Sequence, residues 1–202
     1  VGEAFSKKAS IAIVNIIDKN NNIKRQIKVK DTLKFLTKSS KIYRQNINTK
    51  IIAITGSCGK TTLKELLGTS LKQISKVSIS PKSYNNKYGV PLSLFNLVQK
   101  NDYGVLEIGM DKKGEIDYLS KIVQPDVSVI TNINYAHAKN FRNLKQIALA
   151  KSEIINNTKD NGFIVLNADD NFFALHKKIA NKKNLKILLI GYFDITKSTI
   201  SS

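Results

Sequence analysis

The 202-residue chain is 42% hydrophobic and 24% charged, which supplies a sizeable core and excludes a disordered polymer. Its longest apolar runs, at 11–17 and 187–190, are too short to cross a bilayer, so no membrane insertion is expected. The net charge of +18 invites a polyanion partner, but the lysines are spread without a block or interleaved aromatics, and no nucleic-acid partner is expected.

A single cysteine, Cys58, excludes an intrachain disulfide framework and fits a reducing, cytoplasmic setting. No charged-then-apolar leader is visible. The chain opens at Val1 within a structured-looking segment and closes just past an apparent strand, so it reads as a piece of a longer protein.

In chain order, residues 11–17 read as a buried strand, 18–22 as a turn and 23–29 as a second extended piece. Asp31 stands where a helix N-cap belongs, before a helix over 32–44 with Leu33, Leu36 and Tyr43 roughly on one face. The polar stretch 45–50 reads as a linker. The expected division is therefore a small unit at 1–46 and a larger one at 47–202. From residue 51 onward, short apolar runs at 51–55, 77–80, 104–108, 127–131, 163–166 and 186–190 alternate with helical stretches at 60–74, 90–98, 115–122, 144–155 and 171–180. The pattern predicts an α/β fold, a mainly parallel sheet flanked by helices, with ligands at the carboxyl ends of the strands.

The strongest local signal is Ile51-Ile-Ala-Ile-Thr-Gly56-Ser-Cys-Gly59-Lys60-Thr61-Thr62: a strand, a glycine turn and a helix start. Glycines let backbone N–H groups approach phosphate oxygens, and the helix N-terminus adds partial positive charge. Gly56, Ser57, Cys58, Gly59, Lys60, Thr61 and Thr62 are the expected nucleotide contacts. Lys60 would neutralise the outer phosphates, and the Thr61 hydroxyl would ligate Mg²⁺. The motif is short: Ile54 stands where the full phosphate-loop pattern has its first glycine. A strand–turn–helix with a chance lysine is the competing reading, disfavoured by the apolar strand before and the amphipathic helix after.

Other residues gather at strand ends. Glu107 closes the run at 104–108, where a carboxylate suits Mg²⁺ or pairs with a lysine. His137 follows the strand at 127–131 and reads as either a structural or a ligand histidine. Asn85 and Asn86 lie in a polar loop and read as turn residues. Lys151 looks like an ordinary helix lysine. His176 receives no role. The stretch Asn167-Ala-Asp169-Asp170 reads either as nucleotide-contacting or, the safer reading, as the N-cap of the last helix.

Together the motifs resemble the Mur ligase family of bacterial ATP-dependent amide-forming ligases. The resemblance rests on Ile54-Thr-Gly-Ser-Cys-Gly-Lys-Thr-Thr62 with Lys64-Glu65 nearby, and on Tyr84-Asn-Asn-Lys-Tyr-Gly-Val-Pro-Leu-Ser-Leu94. Two further motifs carry it: Leu106-Glu-Ile-Gly-Met-Asp-Lys-Lys-Gly-Glu-Ile116, and Thr131-Asn-Ile-Asn-Tyr-Ala-His137 followed by Ala150-Lys-Ser-Glu-Ile154. It runs from about residue 1 to 190, and the second and third motifs point to the dipeptide-adding member.

The resemblance implies ATP, with Thr61 and Glu107 on Mg²⁺ and His137 on a second Mg²⁺. It implies a carbamylated Lys151 that helps hold metal, and Asn85 or Asn86 near the γ-phosphate and acyl phosphate. The implied substrates are UDP-N-acetylmuramoyl-tripeptide and D-alanyl-D-alanine, in a monomer of the bacterial cytoplasm. Residues 1–45 would close a UDP-sugar-binding domain. Absent are the first part of that domain, a His-Asn-x-x-Asn stretch that reaches adenine, and a C-terminal domain, so turnover by the chain alone is not expected. Another Mur-type or folylpolyglutamate-type ligase, a partner-binding P-loop switch, or a basic nucleic-acid-binding module would share part of these features.

Overall fold

The computed structural model describes residues 1–81, 83–97, 100–135 and 140–192. A six-stranded, all-parallel sheet forms the centre: β3 (Lys50–Thr55), β4 (Val77–Ile79), β5 (Tyr103–Glu107), β6 (Val127–Ile130), β7 (Phe163–Asn167) and β8 (Lys186–Ile190), in the order β4-β5-β3-β6-β7-β8. After β3 the chain goes out to the edge strand β4, returns to β5 beside β3 and then crosses to β6 on its other side, a reversal that leaves a crevice at the carboxyl ends of these strands.

Both faces of the sheet are covered, which is why β3 is buried from Ile51 to Thr55 without alternation. On one face Ile52, Ile54, Val105 and Val129 pack against Leu63, Leu67 and Leu71 of α3 (Lys60–Leu71). On the other, Ile51, Ala53, Leu106 and Ile130 meet α4 (Gly89–Phe95), α5 (Glu115–Val123) and α6 (Leu144–Asn157). Helix α7 (Phe173–Lys182) packs on α6 and β7.

The N-terminal portion carries α1 (Gly2–Ser6), β1 (Ala12–Val14), β2 (Gln26–Lys28) and α2 (Thr32–Gln45). The strands expected at 11–17 and 23–29 contract to three residues each, parallel to one another. Side chains take over the hydrogen bonding between them. Gln26 accepts from the Asp18 amide at 2.9 Å and donates to the Asp18 carbonyl at 2.9 Å, and Asn22 caps a 3-10 turn at Ile23–Arg25. Asp31 caps α2 as expected, its carboxylate accepting from the Lys34 amide at 2.9 Å.

Helix α2 docks on α4 and α5. Arg44, 3% exposed, donates to the carbonyls of Val123 (2.8 Å), Gln124 (3.1 Å), Thr49 (3.2 Å) and Ile47 (3.4 Å) and to Asp126 (3.0 Å). Asp126 also accepts from the Ile51 amide and from Lys159, both at 2.8 Å. Burial lowers the Arg44 pKa against the pull of Asp126. This polar knot closes the amino end of the sheet, opposite the crevice. No helix among the described residues is long and apolar enough to cross a membrane.

Candidate nucleotide and metal site

The turn between β3 and α3 is held from both sides. Gly56 has φ +150°, and a Cβ there would lie 1.8 Å from the Thr131 hydroxyl, so the position admits only glycine. Gly59, at φ +78°, precedes the helix, and a Cβ there would meet only open space. The first N–H groups of α3 have no carbonyl one turn back and face outward for an anion.

The loop after β6 cradles the turn. The Ser57 amide donates to the Asn132 carbonyl (3.0 Å), the Ser57 hydroxyl to the Asn134 carbonyl (2.9 Å) and the Cys58 amide to the Asn132 side chain (3.0 Å). The Thr131 hydroxyl donates to the Cys58 carbonyl at 2.7 Å. Lys60 folds back over the loop and donates to the carbonyls of Gly56 (2.9 Å) and Ser57 (3.3 Å). Thr62 is exposed on the first helical turn.

Glu107, 2% exposed at the end of β5, joins two loops. One carboxylate oxygen accepts from the Thr61 hydroxyl at 2.7 Å, the other from the Asn85 amide at 2.8 Å. Behind it the Ser80 hydroxyl accepts from the Glu107 backbone amide (3.3 Å), and the Ser80 carbonyl accepts from fully buried Lys64 (2.8 Å). Lys64 also pairs with Glu65 at 3.2 Å. Asn85 is fixed by its carbonyl, which accepts from the Gly109 amide at 2.8 Å. Asn86 does different work: its side chain accepts from the amides of Tyr88 and Gly89, both at 3.0 Å, and starts α4.

The Mur ligase middle domain matches residues 54–198. The chain belongs to the Mur ligase family. A UDP-N-acetylmuramoyl-tripeptide–D-alanyl-D-alanine ligase of Buchnera aphidicola is 41% identical over 159 residues, which is 79% of this chain and 34% of the relative. A MurF structure from Acinetobacter baumannii superposes with TM-score 0.83 at 36% identity over 93% of this chain and 41% of that one. A MurF ligase structure from Thermotoga maritima in complex with ADP gives 0.80 at 32% identity, over 94% and 43% respectively. The chain thus spans between 34% and 43% of the length of these relatives.

Within this Mur ligase middle domain, Lys151 is no surface lysine. It lies on the sheet-facing stripe of α6 and is 3% exposed. Burial first, and then the nearby Lys60 charge, pull its ammonium down to about 7, against a smaller opposing pull from Cys58. No hydrogen-bond or ion-pair partner holds it among the described residues. His137 lies outside the described residues. His176, placed by its sequence in a polar stretch, is buried with Nε2 3.2 Å from the Ala148 carbonyl. Desolvation lowers its pKa.

The N-cap expected over 167–170 is corrected. Helix α7 begins at Phe173 with no side-chain cap. Asp170 instead accepts from the Phe172 amide (2.8 Å) and reaches across to the Ile133 amide (2.7 Å), bracing the loop that cradles the turn.

The hydroxyl of Thr61 and the carboxylate of Glu107 form an all-oxygen donor set beside an open, N–H-lined turn, which suits Mg²⁺ bound together with phosphate. No group of three or more His, Cys, Asp or Glu side chains able to hold a metal occurs among the described residues. The residue reading had no role for Ser80, Thr131 or Asn132, although Thr131 and Asn132 open a quoted motif. Their signal was positional: Thr131 and Asn132 follow β6, beside the turn's own strand, and Ser80 follows β4, one strand further out past β5.

Proposed function

We propose that the protein carrying this chain is an ATP-dependent ligase that adds D-alanyl-D-alanine to UDP-N-acetylmuramoyl-tripeptide through an acyl phosphate. The observation that carries this is the Thr61–Glu107–Asn85 cluster, which ties the phosphate turn to the asparagine loop in a chain whose relatives bear that name. The tripeptide carboxylate attacks the γ-phosphorus of ATP and ADP leaves. The dipeptide amine then attacks the acyl carbon, phosphate leaves, and the amine proton is lost to solvent.

In this scheme the α3 amides and Lys60 grip the phosphates, and Asn85 sits beside the incoming acyl group. Thr61 and Glu107 would hold Mg²⁺, with His137 and Lys151 at a second ion. The metal, when bound, spreads the negative charge of the transferring phosphoryl group. A cavity of about 560 Å³ opens next to the cluster, lined in part by Leu33, Tyr88, Gly109 and Tyr118, and its Lys87, Lys112 and Lys113 outnumber Asp111 and Glu115, a net positive lining for an anionic acyl donor. Residues 1–46 would be the end of the UDP-sugar-binding unit and 47–202 most of the ATP-binding unit. The protein is proposed to act as a monomer in the bacterial cytoplasm.

The deciding measurement is ADP release by the full-length protein against a panel of acceptors. Release is expected only with both the UDP-tripeptide and D-alanyl-D-alanine present. A single amino acid or glutamate as the better acceptor would reassign the chain to another ligase, and hydrolysis without acceptor would make it a switch.

Lys151 is proposed to carry a carbamate, which a partly neutral amine forms readily. Because that neutral fraction grows as pH rises through about 7, carbamate formation should increase over the same range. Lys151→Ala is expected to lose most ligation and to regain part of it with added short-chain carboxylates. Full activity of the unrescued variant would remove Lys151 from the site.

A further inference from the structure

Lys64, in the second turn of α3, is the largest fully buried side chain among the described residues. A lysine stem is long enough to carry its ammonium to water, and lysines are seldom fully buried. An apolar side chain of similar volume would fill the same space without desolvating a charge, so core packing alone does not account for a lysine here.

The helix delivers the ammonium to one place. Lys64 and Gly68, one turn apart, share a face of α3. That face lies so close to β4 that a Cβ at Gly68 would come within 2.3 Å of the Ile79 side chain. Ile79 ends β4, Ser80 follows, and the Lys64 ammonium donates to the Ser80 carbonyl at 2.8 Å. The Ser80 amide donates to the Val105 carbonyl (2.9 Å) and its hydroxyl accepts from the Glu107 amide (3.3 Å), which extends the pairing of β4 with β5 by one residue.

Beyond Ser80 the chain enters the loop that bears Asn85. This loop leaves from a three-residue strand at one edge of the sheet, backed by a neighbouring strand on one side only. Thr61 stands one turn before Lys64. The contacts therefore close a ring: α3 holds Ser80 through Lys64 and Glu107 through Thr61, while Glu107 meets Ser80 by its amide and Asn85 by its carboxylate.

We propose that Lys64 is a positioning residue for ligation, whose ammonium anchors the root of the asparagine loop through the Ser80 carbonyl and so fixes Asn85 relative to the phosphate turn. This rests on the ligase reading above, in which Asn85 sits beside the incoming acyl group. Glu65, 55% exposed, is a surface partner of Lys64 whose charge water can replace. Without the ammonium the α3 amides and Lys60 still grip the nucleotide, but the loop loses its tether to the same helix. The loss therefore falls on kcat and not on the KM for ATP.

The test uses the full-length protein with Lys64→Met, which keeps an unbranched stem, and with Glu65→Gln as the control. Lys64→Met should melt within a few degrees of wild type and lower kcat by about ten- to hundredfold, the cost of misplacing a reacting partner. The KM for ATP should stay within about threefold. Hydrogen exchange at 83–86 and at Gly109, whose amide donates to the Asn85 carbonyl, should quicken by about tenfold or more, the loss of one hydrogen bond to a charged group. Glu65→Gln should match wild type throughout, and Lys64→Gln provides the same comparison if methionine does not fold. Wild-type kcat in the folded variant, or faster exchange spread evenly over α3, β4 and β5, would overturn the role of Lys64. Absence of ligation by wild type would instead overturn the proposed reaction, and this role with it.

Discussion

Lys60→Ala in the full-length protein is expected to slow ADP release by about a hundredfold to a thousandfold, the usual cost of removing one preorganised donor from developing charge. The ammonium lies on the carbonyls of Gly56 and Ser57, so it already sits at the lip of the turn where phosphate oxygens would arrive. Those two bonds are loop contacts at a partly exposed site, so the melting temperature should move little. The informative pattern is therefore lost turnover with retained folding. Near-normal ADP release by the folded variant would sink the phosphate-turn assignment.

Arg44→Ala should be the most damaging change to stability, costing about 3–5 kcal/mol, as expected when one partner of a buried ion pair is removed. Five hydrogen bonds disappear at once, four of them to backbone carbonyls, three of which lie in buried contacts. Asp126 keeps Lys159 and the Ile51 amide, which limits the loss. Urea denaturation, with the slope compared between variants, measures it. A change below about 1 kcal/mol would show that the knot is decoration. The same contacts warn against cutting the protein at the start of β3: the family match begins at residue 54, but the fold it belongs to is closed by α2.

The sheet was readable because apolar runs of β length alternated with helical stretches, and a parallel sheet buried on both faces shows itself as unbroken Val, Ile and Leu. The turn was readable because glycine, lysine and threonine at that spacing have few other uses. Lys151 was not, because burial of a lysine depends on what packs over it, although Ile147, Ile154 and Ile155 on the same stripe were a clue. Arg44 read as the end of an amphipathic helix, since its partner Asp126 is distant in sequence. Asp170 looked like a cap because helix starts favour aspartate, but tertiary contact with Ile133 drew half of its carboxylate away. The first two strands shrank because Gln26 and Asp18 offered side-chain bonds that competed with a ladder.

Glu107 is already committed on both oxygens, to Thr61 and to Asn85. A lone carboxylate in that state is a poor trap for a strongly hydrated magnesium ion, which gives up water reluctantly. The free cation should consequently pass this site by, and only an ion arriving with its triphosphate can repay the loosening of both contacts. Recognition of metal and nucleotide would then be a single event, and the two loops would hear of it through the same side chain.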